Sequence, residues 1–419
     1  MIKEIRIKEG IDLHIINTNK YKTNMISVFL SKKIERPNVT YEALIPAVLR
    51  LGNVNIKTQK EISKALEEMY GANFNCGIEK IGDNHVLKFY IEAINDEYSL
   101  EQEPIFKKSI NLLLDIIFNP LVQNESFNKA YVEGEKENLK RIISGKIDNK
   151  RSYSYLRCIE EMYKDKPYGL YEYGYIEDLD KIDEKNLYEY YKKFVNECKI
   201  DIFVSGNIEN EENIKNIIST NKNISNLDNR EADYIKNSIN VPENKDIKQI
   251  EEKLNVAQGN IVIGLDLSLN NRAATNVYSA ILGGGANSKL FQNVREKASL
   301  AYTAGSRYLK TKNNIFIMCG IEIANYEKAI NIIKEQLEDM KNGCFTDEDI
   351  KNAKELLISS INSLKDEQSS EISYYMSSEL LDEKTSLEDT INAVKNVSKE
   401  DIIKIANYIN INTIYFLRN

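Results

Sequence analysis

Apolar residues recur along this chain in two rhythms, one of 3.6 residues and one of 2, and the two alternate in the same order twice. In KIDEKNLYEYYKKFV followed by KIDIFVSGNI (181–208) an amphipathic helix runs directly into a continuous apolar strand. The C-terminal segment NVSKEDIIKIANYI followed by NTIYFLRN (396–419) repeats that unit. A polar residue, Asp183 or Ser398, opens each helix as a candidate cap, and Ser398 with Asp401 has the spacing of a capping box. The same helix-strand unit therefore closes each half of the chain.

Further copies stand at a similar offset. ALIPAVLRLGN (43–53) parallels NVYSAILGGGA (276–286), each an apolar helix ending in glycine. GANFNCGIEKIGDNHVLKFYIEAIND (71–96) parallels LAYTAGSRYLKTKNNIFIMCGIEIAN (300–325), each a pair of strands around a polar turn. Amphipathic helices follow near 104–118 and 127–143 in the first half, and near 326–341 and 347–365 in the second. The pattern predicts an α+β protein of two homologous α/β-sandwich halves, residues 1–219 and 256–419, each an antiparallel-rich sheet covered by helices. Between them, 220–255 is polar, rich in Asn and Lys, and has its one proline at Pro242. It reads as a linker, with an edge strand near 247–254 leading into the clean alternation of GNIVIGLDLSL.

Length agrees, since 419 residues exceed one ordinary core. With 42% hydrophobic and 29% charged residues the composition is that of a soluble globular protein. No run approaches the roughly 18 apolar residues of a membrane span. In MIKEIRIKEGIDLHII charges interrupt every apolar run, so neither a signal nor a transit peptide is expected, and a cytoplasmic protein is. A net charge of −8 with interspersed Lys and Glu argues against nucleic-acid binding. Five scattered cysteines without a C-x-x-C pair read as reduced thiols.

Chemistry concentrates in LGGGANSKLFQNVREKASLAYTAGSRY (282–308). Gly283, Gly284 and Gly285 allow a tight turn or close backbone approach and are candidate substrate-binding positions. Asn287 and Ser288 are candidate caps for a short helix, and Arg295 and Tyr302 follow, seven positions apart. Ser288 and Lys289 after the glycines lack the G-K-[ST] ending of a phosphate-binding loop. His85 reads as a surface or hydrogen-bonded residue, and the tyrosines of YGLYEYGYIEDL as packing of a turn against a sheet.

The two-fold repeat, GGGANSKLFQNVREKASLAY, and DKPYGLYEYGYIEDLDKIDEKNLYEYYKKFV (165–195) together resemble the insulinase/pitrilysin-type metalloproteases, the inverted zincins. The resemblance covers nearly the whole chain. It implies an H-x-x-E-H motif on the first long helix, two histidines for zinc and a glutamate as general base. Anchored on Gly52, those positions are Ala43, Pro46 and Ala47, which can neither ligate a metal nor move a proton. The only histidines, His14 and His85, lie in no such fragment. The family's third ligand falls on Ile142 in the best register, with Glu135 and Glu137 close by. No metal, no cofactor and no peptidase activity from this chain alone are the consequence.

The resemblance also implies that Arg295 and Tyr302 match an arginine and tyrosine that, in active relatives, bind the substrate backbone and stabilise the transition state. Ser299 stands where the family usually has glycine. Two expectations follow. The first is a non-catalytic subunit that pairs with a zinc-bearing homologue, or with itself, and lends Arg295 and Tyr302 to a shared chamber enclosing a peptide. The second is an inactive homologue that acts as a peptide-binding or scaffolding protein in peptide maturation or protein modification.

Overall fold

In a computed structural model that describes residues 2–237, 239 and 246–419, the chain forms two units, each built on its own sheet. The first unit contains β1 (Ile2–Lys8), β2 (Ile11–Asn17), β3 (Thr23–Lys33), β4 (Asn73–Ile81), β5 (Asn84–Ile94), a small ladder of β6 (Val122–Gln123) with β7 (Ser126–Phe127), and β8 (Lys199–Gly206). Its six-stranded sheet runs β1-β2-β8-β3-β5-β4, antiparallel except where β2 meets β8. The second unit contains β9 (Lys248–Lys253), β10 (Gly259–Leu267), β11 (Ala301–Leu309), β12 (Asn314–Ile321) and β13 (Ile409–Arg418). They are ordered β11-β12-β10-β13-β9, antiparallel except for β13 with β9. The α+β reading with two antiparallel-rich sheets holds.

The central strands of each sheet are buried on both faces, so β3 reads as an almost unbroken apolar run and β10, despite its alternating sequence, is buried along its whole length. In the first unit Ile26, Val28 and Leu30 of β3 pack with the helices Val39–Leu49, Ile105–Phe118 and Glu184–Glu197. Their neighbours Met25 and Phe29 pack instead with Ile372, Tyr375 and Met376 of the helix Gln368–Leu380. In the second unit Ile261, Ile263 and Leu265 of β10 face the helices Arg272–Gly283 and Lys399–Asn407, while Val262 meets Cys158, Ile159 and Met162 of the helix Lys150–Met162. Gly264 has no side chain because a Cβ there would stand 2.7 Å from the Met162 sulfur.

The units are consequently not two consecutive stretches. Residues 145–169 belong to the second unit and 368–380 to the first, in contrast to the division at 1–219 and 256–419 that the repeat suggested. Each sheet has a second apolar face, and a helix from the other half of the chain covers it. Glu252 of β9 fastens the helix Lys150–Met162 in place, accepting from Tyr153 (2.5 Å), Arg157 (3.0 Å) and Tyr415 (2.9 Å).

Much of 220–237, read as linker, is bound to the first unit. Arg230 is buried and donates to the Val195 carbonyl, the Asp233 carbonyl accepts from the Lys33 amide (2.9 Å), and Asn84 exchanges hydrogen bonds with the Ile235 backbone. Pro242 lies outside the described residues. The edge strand expected near 247–254 is β9. Asp183 and Ser398 cap their helices through complete capping boxes. Neither Asn287 nor Ser288 caps the following helix: the Ser288 hydroxyl donates back to the Gly285 carbonyl (2.6 Å), because the chain is already turning there through Ser288 N–H to Gly285 O. Among the described residues no helix is long and apolar enough to cross a membrane.

Candidate functional site

The helix Val39–Leu49 carries Ala43, Pro46 and Ala47, the positions on which the family resemblance would put a zinc motif, and its own sequence shapes them. Pro46 sits inside the helix, where it cannot donate to the residue 42 carbonyl. Its own carbonyl accepts from the Arg50 amide (3.2 Å) and from the Cys76 thiol of β4 (3.3 Å). Ala43, Pro46 and Ala47 line one cavity of ≈ 200 Å³ together with Cys76 and Ile78 of β4 and Leu139 and Ile142 of the helix Lys129–Gly145. Of the positions considered for a third ligand, Ile142 and Glu135 reach this cavity and Glu137 does not. Where a metal would need three ligands, the walls offer alanine, proline and isoleucine. Burial pushes the Cys76 thiol up to about 11, with Arg50 working in the opposite direction, so it is a poor thiolate. No group of three His, Cys, Asp or Glu able to hold a metal ion occurs among the described residues.

Beginning one residue before Ala43 lies a polar network that the sequence did not disclose. Glu42, fully buried, bonds His85 Nδ1 through one oxygen (2.7 Å) and accepts from the Tyr190 hydroxyl through the other (2.6 Å). Burial and the Glu42 carboxyl push the Tyr190 phenol far above its ordinary range. His85 is thus hydrogen-bonded, as expected, but lies in the core rather than at the surface. Glu42 precedes the lost motif by one position, and nothing in a single sequence marks it as different from a solvated helix residue. His14 is buried as well, bonded to Asp201 (2.9 Å) and stacked on Phe203. Lys199 completes that cluster at 2.6 Å from Asp201 and 2.9 Å from Asp12. Burial opposes the Asp201 carboxylate, yet Lys199 and His14 outweigh it and hold the group at about 2.

Arg295 and Tyr302 belong to the second unit. Phe291–Lys297 winds as a π-helix, a form found mostly as short segments and often at functional sites, anchored by buried Val294. The Arg295 guanidinium lies 4.5 Å over the Phe291 ring and 3.7 Å from Glu296. Ser299, where the family favours glycine, has φ of 53° and turns the chain into β11. The pairing of β11 with β12 slips between Ala301 and Thr303, so Tyr302 is the extra residue of a β-bulge and is 59% exposed. Bulges re-aim side chains, and this one turns a phenol outward from the sheet's edge strand.

The glycines divide. A Cβ on Gly283 would collide with the backbone of Gly305 and Ser306, so its absence lets the helix Arg272–Gly283 lie against β11. Gly284 is held close to Ala280, and exposed Gly285 faces only Leu356. Close packing therefore accounts for Gly283 and Gly284 without any ligand.

Two sheet-based α+β units, among whose described residues no group of three His, Cys, Asp or Glu could hold a metal ion, define the class of a peptidase-like fold. The chain belongs to the insulinase-like peptidase M16 family, as an inactive homologue. Residues 181–357 match the family model described as the peptidase M16 inactive domain. The chain is similar to the probable inactive metalloprotease YmfF of Bacillus subtilis, at 33% identity over 100% of this chain and 98% of that one. Its fold is similar to that of a conserved protein from Enterococcus faecalis, with a TM-score of 0.91 and 25% identity over 100% and 98% of the two chains. A peptidase M16 inactive domain from Pseudomonas fluorescens has the same fold at a TM-score of 0.80 and 15% identity, over 100% and 98%.

Proposed function

We propose that this chain is the non-catalytic subunit of a two-chain insulinase-like zinc peptidase of the cytoplasm. It binds peptide and lends Arg295 and Tyr302 to an active site whose zinc and general base come from a homologous partner. The observation that carries this reading is a contrast: the metal positions have become Ala43, Pro46 and Ala47, while Arg295 and Tyr302 remain and are presented on a π-helix and a bulge. A guanidinium and a phenol so exposed can both donate to a scissile carbonyl oxygen as it gains charge.

Mild purification of the tagged protein from its native cell, with mass spectrometry of whatever accompanies it, tests the pairing. The expected result is a homologue of similar size carrying H-x-x-E-H, with peptidase activity only in the complex. Arg295→Ala and Tyr302→Phe should then each lower kcat by about a hundredfold or more. Full activity in complexes lacking both side chains would refute the shared site.

A second reading, a peptide-binding scaffold without a proteolytic role, is favoured by the apolar lining of the cavity at the former metal positions. Recovery of only a zinc-free homodimer, or of an unrelated partner, supports it.

A further inference from the structure

The second unit holds a larger cavity, of ≈ 410 Å³, which neither Arg295 nor Tyr302 lines. Its inner wall is apolar: Leu337 of the helix Tyr326–Lys341, Ala406 of the helix Lys399–Asn407 and Ile409 at the start of β13 are all buried. Protein interiors close over gaps of this size, because side chains without neighbours forfeit dispersion contacts.

One polar group stands at this wall. Tyr278 of the helix Arg272–Gly283 borders the cavity and is 1% exposed, and its hydroxyl has no hydrogen-bond partner among the described residues. A buried tyrosine hydroxyl ordinarily finds one, since it has given up water to be there. Burial alone acts on this phenol and pushes it above its ordinary range, so at neutral pH it is a hydroxyl able both to donate and to accept.

The rim carries charge of both signs. Lys334, Glu338 and Lys341 share one face of their helix, and Asp246 reaches the rim from the chain before β9. Lys341 pairs with Glu338 (3.5 Å). Among the described residues neither Lys334 nor Asp246 has an ion-pair partner, and the two do not bond each other. The rim therefore presents one uncompensated cation and one uncompensated anion, separated by open space. A simple anion or cation would satisfy only one of them, whereas a zwitterion satisfies both. An extended dipeptide is about 7 Å long, enough to keep its two charged ends apart. Cavities of about 150 Å³ take up benzene, so ≈ 410 Å³ has room for two apolar side chains.

We propose that this cavity binds a free apolar dipeptide. Its side chains lie against Leu337, Ala406 and Ile409, its ammonium meets Asp246, its carboxylate meets Lys334, and its peptide group meets the Tyr278 hydroxyl. The site does not depend on a zinc-bearing partner.

The probe is leucyl-leucine, titrated calorimetrically into the full-length chain beside N-acetyl-leucyl-leucine, leucyl-leucinamide, glycyl-glycine and free leucine. Leucyl-leucine should give a saturable heat with one site per chain. Blocking either terminus removes a charge-assisted contact and should weaken binding about tenfold, and glycyl-glycine, which has no apolar side chain, should bind about a hundredfold more weakly. Lys334→Ala should erase the distinction between the dipeptide and its amide, and Asp246→Asn the distinction between the dipeptide and its acetylated form. Both residues are exposed, so neither change should disturb folding. Tyr278→Phe should weaken leucyl-leucine severalfold. Equal affinity for the free and both blocked dipeptides, or free leucine binding as tightly as leucyl-leucine, overturns the assignment. So does the absence of saturable heat from every probe at millimolar concentration.

Discussion

Replacing Glu42 with alanine should destabilise the first unit far more than a substitution on an ordinary helix surface. Glu42 is fully buried, and its two oxygens hold His85 Nδ1 at 2.7 Å and the Tyr190 hydroxyl at 2.6 Å. Truncation strands His85 in the core and leaves the half-buried Tyr190 hydroxyl without its acceptor, and a buried group left without a hydrogen bond costs about 1–3 kcal/mol. The lost carboxyl also leaves a small void, so the total should fall at roughly 3–5 kcal/mol. Removing one partner alone, His85→Ala or Tyr190→Phe, should cost less. Urea unfolding followed by far-UV circular dichroism gives these differences from shifts in midpoint at constant slope. The Glu42→Ala, His85→Ala pair should be less costly than the two single effects combined, by about 1–3 kcal/mol, as groups in one network must be. A Glu42→Ala protein within about 1 kcal/mol of the unmodified one, or strict additivity in the pair, would refute the account of a single coupled network.

Three further outcomes are expected. Asp201 is held at about 2, below its ordinary 3.8, so it favours the folded state above about pH 4 and that contribution disappears as the pH falls towards 2. Urea midpoints between pH 2 and 6 should show the loss, worth about 2–3 kcal/mol, and Asp201→Asn should flatten it. Gly264→Val would drive a branched side chain into Met162 and Phe316 and should cost about 1–3 kcal/mol or more in the same assay, whereas Gly71→Ala, whose Cβ meets nothing, is limited to the strain of its φ of 74°. Arg295→Ala and Tyr302→Phe, both exposed, should leave the stability of the isolated chain, measured by urea unfolding, unchanged to within about 0.5 kcal/mol.

Several elements were legible before any coordinates. The helices Tyr326–Lys341 and Asp347–Leu364 fall almost where their 3.6-residue period placed them, and the Ser398 and Asp183 capping boxes formed as their spacing required. Short-range geometry of this kind depends on residues three or four apart, which a sequence displays directly. The first long helix was less clear. It begins at Val39 rather than 43, because an apolar run buried on most sides has no period to mark its start. The candidate site was read unevenly for the same reason. Arg295, Ser299 and Tyr302 were visible as a spaced group, but the bulge that turns Tyr302 outward depends on β12, which pairs with it from some twenty residues away.

The sequence by itself determined that this chain repeats an α+β pattern and has no ligating residue at Ala43, Pro46 or Ala47, since neither conclusion needs more than residue identity and period. Only the tertiary structure decided which helix covers which sheet. The helices Lys150–Met162 and Gln368–Leu380 each serve the unit to which the other half of the chain contributes the sheet, and amphipathic helices look alike whichever apolar face they finally cover. It also decided that Ala43, Pro46 and Ala47 line an open pocket, because an alanine in a sequence does not say whether its neighbours close over the space it leaves.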